Sequence, residues 1–275
     1  MSSYTISNEE VLVTVDEHAS EIHHFKDLKT GIEYMWKGDP VYWSGRNPTL
    51  FPMVGSTWDK QLHIKGRTYQ TGNHGFARHS DFTCIEHNNQ KIVMRLADSE
   101  ETLKQYPYHF TMDISYSLAG RTLTIHYAIR NDNNETMPFH FGLHPAFNVP
   151  MDPAGSSADY QLVFDEKQNF TWKNTEMKDE NVLKLDPDAL ADTIIIHHPA
   201  GTNVSLTDGT HGVTVDYSQF EWLAFWSPHA PFVCIEPWLS HTDFERVDVP
   251  YDRREGTRFI EPGKVFEIAY SITVR

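Results

Sequence analysis

Period-two alternation of apolar and polar residues runs through most of this chain, and no other feature constrains its fold as much. In RTLTIHYAIRND, Leu123, Ile125, Tyr127 and Ile129 fall on one strand face, while Thr122, Thr124, His126 and Arg130 take the other. The closing stretch KVFEIAYSITVR repeats the pattern with Phe266, Ile268, Tyr270, Ile272 and Val274 inward. Successive strand side chains point to opposite faces, so such segments suit a half-buried sheet and give a helix no apolar stripe. Turn signals separate the runs. Hairpins are predicted around Lys65-Gly66, Asn88-Asn89 and Ala119-Gly120. Helix is expected only in DSEETLKQYPY, with Asp98 or Ser99 as cap, Glu100 and Glu101 in the first turn and Pro107 at the end. The loopiest stretch is PMDPAGSSA, residues 150–158, and strand patterns resume directly after it. The expectation is one all-β domain over residues 1–275, an antiparallel sandwich or barrel.

A single domain of this size is ordinary for all-β chains. With 39% hydrophobic and 13% aromatic residues, the supply for a core is ample. The formal net charge of −15 argues against a general basic field for nucleic acid or anionic membrane, without excluding a local basic pocket. No run approaches the ~18 apolar residues of a membrane span. MSSYTISNEEVLV has neither a basic nor an apolar leader region, so secretion is not expected. Two cysteines, Cys84 and Cys234, make no disulfide framework and fit a reducing compartment. The cytoplasm is the expected location.

Four segments break the alternation in ways that core packing does not explain. YWSGRNPTLFPMVG puts Arg46 in a Gly/Asn/Pro loop between Trp43 and Phe51; it reads as a surface arginine or as a ligand contact. TGNHGFARHSDF sets His74 beside Gly75 and is followed by Arg78, a polar turn or a close approach to a ligand. PFHFGLHPAFNVP holds His140 and His144. Four residues along a strand separate Cβ atoms by roughly 13 Å, too far for one metal ion. His144 precedes Pro145, which forces it to be extended at a strand end. It is either a satisfied core histidine or a cleft residue. The fourth segment, PFVCIEPW, places Glu236 among apolar residues. Cys234 and Glu236 share one strand face, and Val233 and Ile235 the other. A buried carboxylate without partners is costly, so Glu236 either points outward or sits in a lined pocket. An adjacent aromatic platform suits sugar recognition. Cys234 with His144 as a base is conceivable as a nucleophile, but a small buried residue is the stronger reading. The pairs His23-His24 and His197-His198 are expected to alternate faces and to chelate poorly.

The carriers RNPTLFPMVG, NHGFAR, YPYHF, FGLHPAFNVP, LAFWSPHAPFVCIEPW and FIEPGKVFEIAYSI, in this order, resemble the aldose 1-epimerase (galactose mutarotase) family in its LacX-like branch. The resemblance implies a large antiparallel β-sandwich with an open cleft and neither cofactor nor metal. It implies that Glu236 is the general base and His144 the general acid of anomer interconversion, in which one group takes the C1 hydroxyl proton while another protonates the ring oxygen. His74 then holds the substrate and Asp192, in LADTIIIHHP, binds sugar hydroxyls. Asp192 is also the candidate for raising the His144 pKa. Relatives often carry an arginine just after Val-Gly, where this chain has Ser56, so Arg46 and Arg78 are expected to substitute. The implied partner is a small aldose, free or phosphorylated, with Arg46 and Arg78 as the phosphate clamp in the second case. Neither nucleic acid nor membrane is expected as a partner, and the protein acts as a monomer or homodimer. A non-catalytic sugar-binding protein on the same fold is the reading from another class.

Overall fold

The computed structural model describes residues 2–275. Of the chain, 48% is strand and 7% helix, as the alternation dictates. A nine-stranded antiparallel sheet runs in the spatial order Thr175–Lys184, Gln161–Trp172, Asn203–Thr207, Gly212–Asp216, Val265–Val274, Thr122–Asn131, Phe110–Ala119, Lys91–Ala97, Thr83–His87. A second sheet runs Ile194–His197, Trp222–Trp226, Phe232–Trp238, Gly142–Leu143, Thr49–Leu50, with Ala146–Asn148 also paired to Phe232–Trp238. The predicted inward faces are the buried ones: Leu123, Ile125, Tyr127 and Ile129 are at most 2% exposed, and Ile268, Tyr270, Ile272 and Val274 at most 4%. These residues share one core cluster with Leu143, Leu223, Phe225, Val233 and Ile235 of the second sheet. Phe164 meets Phe225 edge-on across that core. The two sheets therefore form a sandwich, and barrel closure is not what the alternation produced.

The three hairpins form where turn residues were read. Lys65 and Gly66 both have positive φ, 52° and 73°, between paired Ile64 and Arg67, as a two-residue primed turn requires. The helix Glu100–Gln105 is capped by Ser99, which accepts from the Thr102 N–H. Sequence reading missed a second short helix, Pro187–Ala191, which is capped by Asp186 and ends at Asp192.

Alternation on the central strand of the second sheet positions the site. All seven residues of Phe232–Trp238 are buried. Val233 and Ile235 face the inter-sheet core. Their neighbours Cys234 and Trp238 belong to separate clusters on the outer face. Glu236 shares that outer face.

Candidate active site

Glu236 and His144 meet because of strand register. Gly142 lies opposite Trp238 and Ala146 opposite Cys234, so His144, midway between, lies opposite Glu236. Leu239 N–H donates to Phe141 O, and Ile235 N–H donates to Pro145 O at 3.0 Å. In the rung between them, Pro237 has no N–H to donate to Leu143 O, so it can take part only as an acceptor. Directly opposed residues of such a pair project to the same face with their Cβ atoms about 5 Å apart. Here His144 Nε2 is 3.3 Å from a Glu236 carboxyl oxygen, with the two side chains 7% and 2% exposed.

Both groups are driven towards their neutral forms. Burial raises the Glu236 pKa well above the usual carboxylate value, opposed by the Trp238 indole and the Arg78 charge. Burial, then His74 and Arg78, holds His144 well below the ordinary imidazole value. The Trp238 Nε1 and His144 Nδ1 are buried without a hydrogen-bond partner; the indole N–H is close enough to act on Glu236 but is not in hydrogen-bond geometry. Both shifts have the same cause, since burial penalises the charged form of each group and so disfavours a separated ion pair.

His74 and Arg78 complete this end of the cleft. His74 adopts φ +66°, and Gly55 N–H donates to its Nδ1 at 2.9 Å. That bond fixes the neutral tautomer with Nε2–H free to donate. Burial and the Arg78 charge lower its pKa to about 3, although part of the ring reaches the cleft. The turn needs Gly75: at φ +73°, a Cβ there would lie 2.1 Å from Phe51 O. Arg78, in the short 3₁₀ segment Ala77–His79, makes no side-chain ion pair or hydrogen bond among the described residues. Its pKa is lowered by burial and supported by the charges of Glu21 and Glu236.

The cleft has a volume of about 740 Å³, and Glu236, His144, His74, Arg78 and Asp192 all line it. Arg46 does not. Its backbone N–H donates to Glu21 at 2.8 Å, its carbonyl accepts from Ala146 N–H at 2.8 Å, and its guanidinium lies against Gly38. Arg46 therefore pins the loop that carries Trp43, and no Arg46–Arg78 phosphate clamp forms. The position of the family arginine is also not refilled from Ser56, which exchanges hydrogen bonds with Thr242. Asp192 is exposed and pairs with Lys173 Nζ at 2.7 Å; the carboxyl beside His144 is Glu236 itself. His140 sits apart, stacked on Tyr251 and bonded to Thr257, which agrees with the argument against a shared ion. The His197 and His198 rings, expected on opposite faces, stack at 3.9 Å, because His198 lies past the strand end with φ +52°. His144, Cys234 and Glu236 bring possible metal donors within 4.8 Å of one another. Burial raises the Cys234 thiol pKa strongly, which opposes the thiolate that either a metal or nucleophilic chemistry would need.

The sequence reading expected an aromatic platform beside Glu236, and Trp238 lines the cleft there, but it missed the other aromatic walls. Trp43 stacks on His144 at 4.8 Å and Trp226 meets it edge-on at 5.6 Å. Trp172 and Phe244 also line the cleft and touch each other, with ring centroids 5.3 Å apart. Trp226 had a legible signal: it ends a strand just before Ser227-Pro228. Phe244 had none, lying in a loop of mixed composition.

Comparisons with known proteins give the family and the fold. The family model for aldose 1-epimerase matches residues 2–273. Protein LacX (chromosomal) of Lactococcus lactis subsp. lactis is 30% identical, with 98% of each chain covered. A galactose mutarotase related enzyme from Lactobacillus acidophilus superposes with TM-score 0.91 at 31% identity, covering 100% of this chain and 97% of that one. A galactose mutarotase-like protein from Lactobacillus casei does so with TM-score 0.89 at 28% identity over all of both chains. This chain belongs to the aldose 1-epimerase family.

Proposed function

We propose that the protein interconverts the α and β anomers of an aldose. The observation that carries the proposal is the opposed His144–Glu236 pair, 3.3 Å apart at a cleft able to enclose a sugar. Ring opening moves two protons: one leaves the C1 hydroxyl, and one arrives at the ring oxygen as the C1–O bond breaks. Both oxygens are bonded to the same carbon, so acid and base must stand side by side, as this pair does. Rotation about C1–C2 and reclosure reverse both transfers and restore the pair. One proton shared between the two side chains is the required stoichiometry in either direction. The family's assignment has Glu236 as base and His144 as acid, whereas burial in the free protein favours the proton on Glu236. A proton crossing the 3.3 Å gap when sugar binds reconciles the two. The His74 Nε2–H and the Arg78 guanidinium serve as donors to sugar oxygens, holding the ring for attack. Asp192, which also lines the cleft, accepts from hydroxyls when it is not tied to Lys173.

Polarimetry or NMR on freshly dissolved α-aldoses tests the proposal, with a panel that includes glucose, galactose and glucose 6-phosphate. Wild-type protein accelerates anomer exchange, and His144→Ala abolishes the acceleration. Wild-type protein without effect on the whole panel would end the catalytic reading.

A further inference from the structure

Two parts of the cleft differ in chemistry. Trp43, Trp226 and His74 are the rings that touch His144, whereas Trp172 packs on the cluster of Trp222, Trp238 and Ile195 and Phe244 touches Trp172 and Trp222, all lining the same cleft apart from Trp222. Trp172 ends the strand Gln161–Trp172, at the tip of the long edge hairpin whose turn is Lys173-Asn174. Its indole N–H donates to Thr193 O at 2.8 Å, which fixes the plane of the ring. Phe244 is 46% exposed, unusual for a phenylalanine already in contact with Trp172, Trp222 and His241. Polar groups surround these rings: Lys173, Asp192 and Thr193. The buried indole N–H of Trp238, in the same cleft, has no partner among the described residues. Beyond Trp172 the surface continues into an adjoining hollow of about 380 Å³ that shares Trp172, Lys173, Asp192 and Thr193 and adds Asp186, Asp188 and Glu176. A cleft of about 740 Å³ suits a ligand of drug-like size, well beyond a single pyranose.

We infer that Trp172 and Phe244 form a second subsite that takes a neutral sugar unit, so that the favoured substrate is a reducing oligosaccharide. Its reducing ring lies at His144 and Glu236, and the next ring lies on the Trp172–Phe244 surface. Flat aromatic faces match the apolar face of a pyranose, and the carboxylates around them accept hydroxyls. The same carboxylates repel a phosphate or uronate, since the lysine among them is already neutralised by Asp192. This inference rests on the proposed ring-opening reading.

The test compares mutarotation of α-maltose and α-lactose with that of α-glucose and α-galactose by the full-length protein. A parallel titration of each sugar follows tryptophan fluorescence. At least one disaccharide should exceed the monosaccharides in kcat/KM by about tenfold, as burial of one further ring face predicts. Phe244→Ala, at an exposed ring, and Trp172→Ala should each lower the disaccharide-to-monosaccharide ratio about tenfold, since each removes that contact. Monosaccharide turnover with no disaccharide preference, or equal losses on both classes in the variants, would overturn the subsite and leave the catalytic reading intact. Disaccharide binding that Phe244→Ala weakens, with no turnover of any sugar, would keep the subsite and remove the catalysis.

Discussion

Replacing Glu236 with glutamine preserves the size of the side chain and removes its proton chemistry, so it separates two consequences of one burial. The first is kinetic. Loss of a positioned acid–base group lowers kcat by roughly 10²–10⁴, equivalent to about 3–5 kcal/mol of barrier. The second is thermodynamic, and its sign follows from the raised pKa. Below the ordinary carboxyl pKa of 4.5, folded and unfolded chains both carry the proton and Glu236 imposes no penalty. As pH rises from there towards the folded-state pKa, the unfolded chain ionises and the folded one does not. Wild-type stability then falls by about 1.4 kcal/mol for each pH unit in that window. Glutamine has no such term. The stability advantage of Glu236→Gln should therefore be flat below pH 4.5 and grow with that slope above it, until Glu236 ionises in the folded state. Urea melts of both proteins at half-unit pH steps measure the difference, which cancels the other titrating groups apart from the coupling to His144. Polarimetry on the same samples gives the kinetic half. A difference that does not change with pH would mean Glu236 is ionised in the folded protein, and the one-proton account of the pair would be wrong. Retained activity would refute its role in proton transfer.

The pH profile of kcat/KM should be bell-shaped. Its acidic limb, where His144 takes a second proton into the pair, falls below pH 6.5, and its alkaline limb, where the pair loses its only proton, falls above pH 4.5; stopped polarimetry across pH 4–10 would show it. Arg78→Ala should raise KM by about tenfold or more through loss of a charged hydrogen bond, and Arg46→Ala should raise it far less, because Arg46 stands outside the cleft; the ratio of the two KM values is the measurement. Gly75→Ala would force a side chain into a left-handed backbone at about 1–2 kcal/mol. It would also displace Phe51 or His74 by about 1 Å, enough for roughly a hundredfold loss in kcat/KM; thermal melts and initial rates read the two effects. Asp243 and Arg254 form a buried ion pair in the segment that carries Thr242 and Phe244. Asp243→Ala should cost about 3–5 kcal/mol in urea melts, and the double change Asp243→Leu with Arg254→Met should recover most of it.

The fold was legible because its cause is local. Alternation in Thr122–Asn131 and Val265–Val274 needs only neighbouring residues to be read, and the same holds for the Lys65-Gly66 turn and the Ser99 cap. The face assignment of the Phe232–Trp238 strand was legible for the same reason. Pairing was not. Nothing within FGLHPAF or CIEPW says that the two strands adjoin, or in which register, so the 3.3 Å contact of His144 and Glu236 followed from resemblance and not from composition or spacing. Arg46 shows the opposite failure. A loop arginine beside glycine and asparagine reads like a ligand contact, but the backbone of that loop is consumed in holding Glu21 and Ala146, and only the assembled structure shows which way the guanidinium turns. His198 was misjudged because strand alternation was extended one residue too far, into a turn.

The geometry of the His144–Glu236 pair is held by residues whose side chains face away from it. Leu143, Val233 and Ile235 fill the inter-sheet core and alternate with His144, Cys234 and Glu236 on the same strands. Sliding the Gly142–Asn148 segment by one residue would turn His144 into that core and push Leu143 out into the cleft, so the hydrophobic pattern specifies the register. Pro237 then withholds one donor from the ladder beside the pair without releasing the register, because Ile235 and Leu239 on either side still donate to Pro145 O and Phe141 O. The backbone is thus pinned on both sides of the pair. Between those bonds two titratable side chains face each other, one with an unpartnered buried nitrogen. A carboxyl and an imidazole left short of partners in a folded interior are a standing cost. They remain free to take and give protons because the core behind them, and not their own hydrogen bonds, keeps them in place.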